Sequence, residues 1–153
     1  MKLPKKYVIV EIIPNHSNSK IGFIVQLQAL KINDNKIIDR IDLRVNDKLI
    51  TNNDLLKMIS YDKEMFQYKD NKDDIIKEFK EFIGKDKLLI IDNYYTIDYL
   101  KSIENKKESV FKYLGLEISD DVFDKIITKY QLEPSNHLVD LLYEALMFEN
   151  NNK

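Results

Sequence analysis

The chain has 153 residues, 44% of them hydrophobic and 33% charged, which suits one domain with a single sizeable core. Its net charge of −2 gives no overall field to steer a polyanion, although a local basic groove remains compatible with it. There is no cysteine, which excludes disulfides and thiolate metal sites and fits a reducing compartment. No apolar run approaches the ~20 residues of a membrane span, and the run after the basic start MKLPKKYVIV stops at Glu11, too soon for a signal peptide. A soluble, cytoplasmic protein is expected.

Residues 7–13 (YVIVEII) are a continuous, largely β-branched run, the pattern of a strand buried on both faces. A polar turn (NHSNS, 15–19) leads into residues 22–32, where Val25, Leu27 and Ala29 alternate with Ile24, Gln26, Gln28 and Leu30. Asn33, Asp34 and Asn35 tolerate positive φ and predict a tight turn. In residues 36–45, Ile41, Leu43 and Val45 face away from Arg40, Asp42 and Arg44. The three runs predict an antiparallel meander with one polar face.

Helical periodicity then takes over. A short helix is expected at 53–60, a loop at 61–71, and a longer helix at 73–83, with Ile75, Ile76, Phe79, Phe82 and Ile83 at helical spacing and Gly84 as C-cap. LLIID (88–92) reads as a buried strand, parallel to the first because a helix joins it to the meander. Further helices are predicted at 96–103, 109–114 and 120–130, with ENKKE (104–108) as a solvated connection and Gly115 as a stop. After Pro134, Ser135 or Asn136 caps a last helix at 137–148, and ENNNK is a frayed tail. With no repeat or linker, residues 1–153 form a single α/β domain, a mixed sheet with helices on its faces.

Several stretches carry a family resemblance in chain order: VIVEIIPN, GFIVQLQALKI, KIIDRIDLRVND, IIKEFKEFIGKDKLLIIDNYYTIDYLKS and HLVDLLYEALMFE. Together they span roughly residues 7–149 and resemble the DnaQ-like (DEDD) 3′–5′ exonucleases, which have the RNase H-like fold. The resemblance implies a meander, a parallel strand and flanking helices. It also implies four carboxylates around two divalent cations that clamp a scissile phosphate, with a histidine or tyrosine assisting the attacking water. Such hard cations require oxygen ligands in a strongly negative pocket.

Carried over position by position, the family's first aspartate falls on Glu11 and its glutamate on Ile13, which has no lone pair to offer. The substrate-side loop falls on Pro14, Asn15 and His16. Asp92 and Asn93 stand where His-Asn is usual, and the next aspartate falls on Thr96 or Ile97, with Asp98 close but out of register. In the last helix the fourth acid falls on Asp140, which puts the general base at Ser135, two residues from His137. An alternative register pairs Glu144 with Val139. Candidate catalytic residues are therefore Glu11, Asp98, Asp140 and His137, and candidate metal ligands are Glu11 and Asp140. Asn15, Asn93, Tyr94 and Tyr95 are candidates for nucleic-acid contact, the tyrosines by stacking.

Each residue also has a plainer role. Glu11 reads as a satisfied carboxylate near a helix end, Asp92 as a capping acid, and Asp98 and Asp140 as early-helix charges. His137 reads as a surface or capping histidine, and the tyrosine pair as core or rim packing. Two functions from different classes follow. One is a catalytically impaired exonuclease fold, a pseudoenzyme kept as a nucleic-acid- or protein-binding module, needing no cofactor and partnered by single-stranded nucleic acid or a replication or repair protein. The other is an active Mg²⁺- or Mn²⁺-dependent 3′–5′ exonuclease acting on DNA or RNA. A likeness of architecture alone is the third reading.

Overall fold

The first apolar run becomes the middle of a sheet. In the computed structural model, which describes residues 2–59, 65–135 and 137–151, β1 (Lys6–Pro14) is buried on both sides over residues 7–12. It pairs antiparallel with β2 (Ile24–Asn33), and β2 pairs antiparallel with β3 (Lys36–Val45). The turn between β2 and β3 places Asp34 and Asn35 at φ 53° and 66°, the left-handed region these residues tolerate. On its other side β1 pairs in parallel with β5 (Lys87–Ile90), reached through helix α2 (Asp73–Ile83), as the helical crossover predicts.

Two short strands complete the sheet. β4 (Gln67–Lys69) lies parallel to β3, and β6 (Lys107–Ser109) parallel to β5. The described residues thus form a six-stranded mixed sheet in the order β4-β3-β2-β1-β5-β6. Both short strands correct the sequence reading: β4 sits inside the expected loop at 61–71, and β6 takes Lys107 and Glu108 from the expected solvated connection. Three residues are too few to display a period. Such strands form because an adjacent edge offers unpaired N–H and C=O groups.

Helices α1 (Asn53–Met58) and α2 lie with the sheet face that carries Val8, Val10 and Ile12, and α2 buries Ile75, Phe79 and Ile83 at spacings of four. The opposite face carries Tyr7, Ile9, Leu30 and Ile32 and packs with α4 (Val110–Leu114), α5 (Val122–Tyr130) and α6 (Leu138–Asn151). The helix expected at 53–60 ends at Met58, and Ser60 lies outside the described residues. The helix expected at 96–103 runs earlier, as α3 (Tyr94–Tyr99), because the Asn93 side chain accepts the Thr96 N–H at 2.9 Å and so starts it. α6 outlasts its expected end at 148. Glu149 accepts the Tyr130 hydroxyl at 2.6 Å and pairs with Lys129 at 3.3 Å, which ties the final turn to α5.

The expected polar face of the meander is largely covered. Gln26, Gln28, Asp42 and Arg44 are all under 8% exposed, as α6 lies against β1 and β2 and Arg44 against Tyr68 and Asp47, while Arg40 stays exposed. Among the described residues no helix is long and apolar enough to cross a membrane.

The loop between β1 and β2 is pinned to α3. Asp98 accepts the Ser19 N–H at 2.8 Å, and the Tyr99 hydroxyl donates to the His16 carbonyl at 2.6 Å. Gly22 sits under this bridge. A Cβ there would lie 2.5 Å from the Tyr99 hydroxyl and 2.6 Å from both Asn15 Oδ1 and His16 Cβ. The Gly22→Ala variant is therefore expected to lose about 1–3 kcal/mol by overpacking, read as a lowered midpoint in urea unfolding. A midpoint equal to wild type would show that the loop is not held in this form.

Candidate functional site

Alternation along β1 decides where Glu11 points. Tyr7 and Ile9 belong to the cluster on the α4–α6 side, and Val8, Val10 and Ile12 to the cluster on the α1–α2 side. With a period of two, Glu11 falls on the α4–α6 side, near the C-terminal end of its strand. It is 6% exposed, and its carboxyl group has no hydrogen bond or salt bridge among the described residues. It lines a cavity of about 410 Å³. Asn93, Tyr95 and Thr96 at the start of α3 form one wall, and Val122 and Phe123 of α5 with Leu138 of α6 form another. Ile118, Ser119 and Asp120, all exposed, make the rim.

Burial without a partner has one electrostatic consequence. The Glu11 carboxyl is pushed up to about 7 by desolvation, since a charge in an apolar wall loses its hydration and gains nothing in return. Tyr95 shares this environment: burial first, and then the Glu11 charge, raise its phenol above the ordinary value.

Glu11 is also the first member of a polar row across the sheet. It is paired in register with Gln28 on β2, which is paired with Asp42 on β3, so the three side chains share one face. Gln28 Nε2 lies 3.1 Å from His137 Nδ1, just ahead of α6. Arg40 Nε donates to Asp42 at 3.1 Å, and Arg40 Nη2 donates to Asp140 at 3.1 Å. Burial raises Asp42, and the Arg40 charge opposes that shift. The N-terminal turn of α6 is thus seated on the sheet by side-chain bonds as well as by its apolar face.

The sequence candidates are distributed accordingly. Glu11, Asn93 and Tyr95 share the cavity. Tyr94 is 71% exposed and packs edge-on against Tyr95, its ring centroid 5.9 Å away. Asp140 gives its carboxylate to Arg40, and His137 its Nδ1 to Gln28. Asp98 is not an early-helix charge. It lies in the last turn of α3, where the Ser19 N–H and then Lys101 hold its carboxyl down at about 2. Asn15 is a loop brace, its Oδ1 accepting the Phe23 N–H at 2.7 Å. Of the two positions left open for an acid on α3, Thr96 is buried and lines the cavity, whereas Ile97 is 50% exposed. Ile13 packs at the margin of the α1–α2-side cluster. Sequence reasoning missed Phe123, Ile118 and Asp120 as cavity walls; the one signal for them was the helix start predicted near residue 120.

These residues do not suit a pair of divalent cations. Among the described residues no three of His, Cys, Asp and Glu are grouped so as to hold a metal ion. The one buried acid in the cavity is only about half ionised near pH 7, and it stands between apolar walls where hard cations need several oxygen ligands.

The raised carboxyl makes stability depend on pH. Glu11 is neutral in both states below about pH 4.5, and the penalty for ionising it in the folded chain grows until about pH 7. Wild-type stability should therefore fall across that window relative to Glu11→Gln, which has no proton to lose. By pH 8 the variant should have gained about 3 kcal/mol on wild type compared with pH 4, at 1.36 kcal/mol per pH unit. Urea unfolding of both proteins at the two pH values measures it. Parallel pH profiles would mean that Glu11 is solvated or paired.

A scan against models of known protein families finds no match to this chain, and no curated protein matches it significantly.

Proposed function

We propose that the chain is an RNase H-like domain of the DnaQ-like type whose metal-dependent chemistry is impaired and whose former catalytic cleft acts as a protein-binding site. The support for the frame is the strand arrangement, a three-stranded antiparallel meander with β5 and β6 added in parallel beside β1. The observation that carries the function is Glu11 as the one buried acid among the described residues of its cavity, with only the exposed Asp120 at the rim. Glu11 occupies the end of the first strand, where the family has its first acid, while the neighbouring walls are Thr96, Tyr95, Ile91 and Leu138. Two cations carry four positive charges, and one carboxylate leaves most of that charge to water or substrate. Loss of metal-generated nucleophile and of general-base help is then expected to remove many orders of magnitude in rate.

A polypeptide suits this cleft better than a nucleic acid. The cavity walls include no lysine or arginine among the described residues, and they present Glu11 with Asp120 at the rim. A phosphate entering there would meet acidic groups and no cation to neutralise it. Exposed apolar residues stand beside it instead: Tyr94 at 71%, Ile97 at 50% and Ile118 at 42%. These are suited to the apolar centre of a protein interface.

Wild-type protein incubated with single-stranded DNA and with RNA, in Mg²⁺ and in Mn²⁺, is expected to show no 3′–5′ digestion that Glu11→Gln abolishes. Calorimetric titration with Mn²⁺ is expected to show no tight binding. Metal-dependent 3′–5′ digestion lost in Glu11→Gln would reject this reading in favour of an active exonuclease. A companion pair of variants tests the register: Thr96→Asp puts a second acid at the cavity and should bring detectable Mn²⁺ binding, whereas Ile97→Asp should bring none. Equal behaviour of the two would count against the frame.

A further inference from the structure

We infer that the Glu11 cavity is a receptor for a guanidinium group on a short aliphatic arm, the arginine side chain of a partner polypeptide, with Glu11 as its charge partner. This rests on reading the cleft as a binding site in place of a catalytic one. The group in the cavity with unmet hydrogen-bonding capacity is an acceptor: the Glu11 carboxyl lines it and has no hydrogen bond or ion pair among the described residues. The Asn93 oxygen is already taken by Thr96. A ligand that pairs with Glu11 must bring donors, and a guanidinium has five N–H groups.

The walls select among donors. A fork of two parallel N–H groups matches a carboxylate in two bonds, which a point-charge ammonium does not. A guanidinium is weakly hydrated, so bringing it between Val122, Leu138 and Phe123 costs less than burying an ammonium, and its flat face can lie on Tyr95 or Phe123. The cavity of about 410 Å³ is in the range of small-ligand sites and admits such a head with its methylenes. The source is a polypeptide because the mouth is apolar. Ile118 is on the rim, Tyr94 stacks on the wall residue Tyr95, and Ile97 lies one turn from Tyr94 on α3. A free small amine would leave all three in water; a chain presenting an arginine between apolar residues would cover them.

Among the described residues, the titratable and charged groups around Glu11 are Tyr95 from α3, Asp120 ahead of α5 and, along the polar row through Gln28, His137 ahead of α6 and Asp42 with its partner Arg40. None of those that line the cavity is a lysine or arginine, so a bound guanidinium would be its first fixed cation. Binding near pH 6 breaks the Glu11 O–H bond, and the proton passes to the buffer while the carboxylate pairs with the cation. With the free carboxyl at about 7, more proton should be released per site at pH 6 than at pH 8, as linkage requires.

The test is calorimetric titration of the full chain with acetyl-Leu-Arg-Leu-amide, in buffers of different ionisation heat at pH 6 and pH 8. The citrulline version of the peptide and agmatine are the comparison ligands. The arginine peptide should bind. The citrulline peptide, and the arginine peptide on Glu11→Gln, should bind about tenfold or more weakly, as loss of a charge-assisted bond predicts. Glu81→Gln, an exposed change on α2 across the sheet from the cavity, should leave affinity unchanged and shows that the effect is not one of surface charge. Glu11→Gln is expected to fold, since it removes a buried ionisable group, and its unfolding curve checks this. Equal binding of arginine and citrulline, no binding at all, or proton release unchanged between pH 6 and pH 8 would overturn the inference. Agmatine binding as tightly as the peptide would overturn the polypeptide source. Metal-dependent digestion by wild type would overturn the reading beneath it, whereas failure of the arginine peptide alone leaves that reading standing.

Discussion

A central strand covered on both faces has no exit for a polar side chain, and that constraint organises this molecule. β1 lies between β2 and β5, with α1–α2 against one face and α4–α6 against the other. Seven of its positions could be filled by apolar residues at no electrostatic cost, yet Glu11 is not one of them. The period of two leaves it a single destination, the interior on the α4–α6 side near the strand's end. The sheet, its helices and the cavity all take their places around a carboxyl group that the fold buries and does not pair. Ordinary buried acids are neutralised by a nearby cation or by several N–H donors. Among the described residues Glu11 has neither, and carboxyl groups perturbed in this way cluster at functional sites.

Two positions away across the sheet, the same problem is met in the ordinary manner. Asp42 is as deeply placed as Glu11, but Arg40 reaches it along β3 and bridges on to Asp140 at the start of α6. Arg40 and Asp140 are each about a third exposed, so this chain of charges adds little net stability by itself. Its use is positional. Together with the contact between Gln28 and His137 it fixes where the first turn of α6 meets the sheet, and that turn supplies Leu138 to the cavity wall. Asp140 and His137, the acid and the histidine that family chemistry would call on, are thereby committed to holding the helix. Asp42 thus has a cation on one of its oxygens, whereas Glu11, on the same face, has none among the described residues.

Much of the architecture was legible in the order of residues, because it rests on short-range periods. The β-branched run of β1, the alternation of β3 and the four-residue spacing in α2 each appear where the patterns put them. The parallel placement of β5 followed from the helix that precedes it. Strands β4 and β6 were not legible, since what holds them is an open sheet edge contributed by residues more than twenty positions away or nearly that. The polar face of the meander was legible as polar but not as buried. Whether Gln28 and Asp42 meet water depends on α6, which lies about a hundred residues further along the chain.

For the site, the sequence by itself determined that an acid stands near the end of the first strand and that the position two residues on carries an isoleucine. Those are facts of residue type and strand phase, which local order fixes. Tertiary structure alone decided the rest: that Thr96 and not Ile97 lines the cavity, that Asp98 is spent on the Ser19 N–H, that Asp140 belongs to Arg40, and that Phe123 and Ile118 close around Glu11. The physical reason is that a carboxylate's chemistry is set by what lies within a few ångströms of its oxygens. Those neighbours come from four separate stretches of the chain, which only packing brings together.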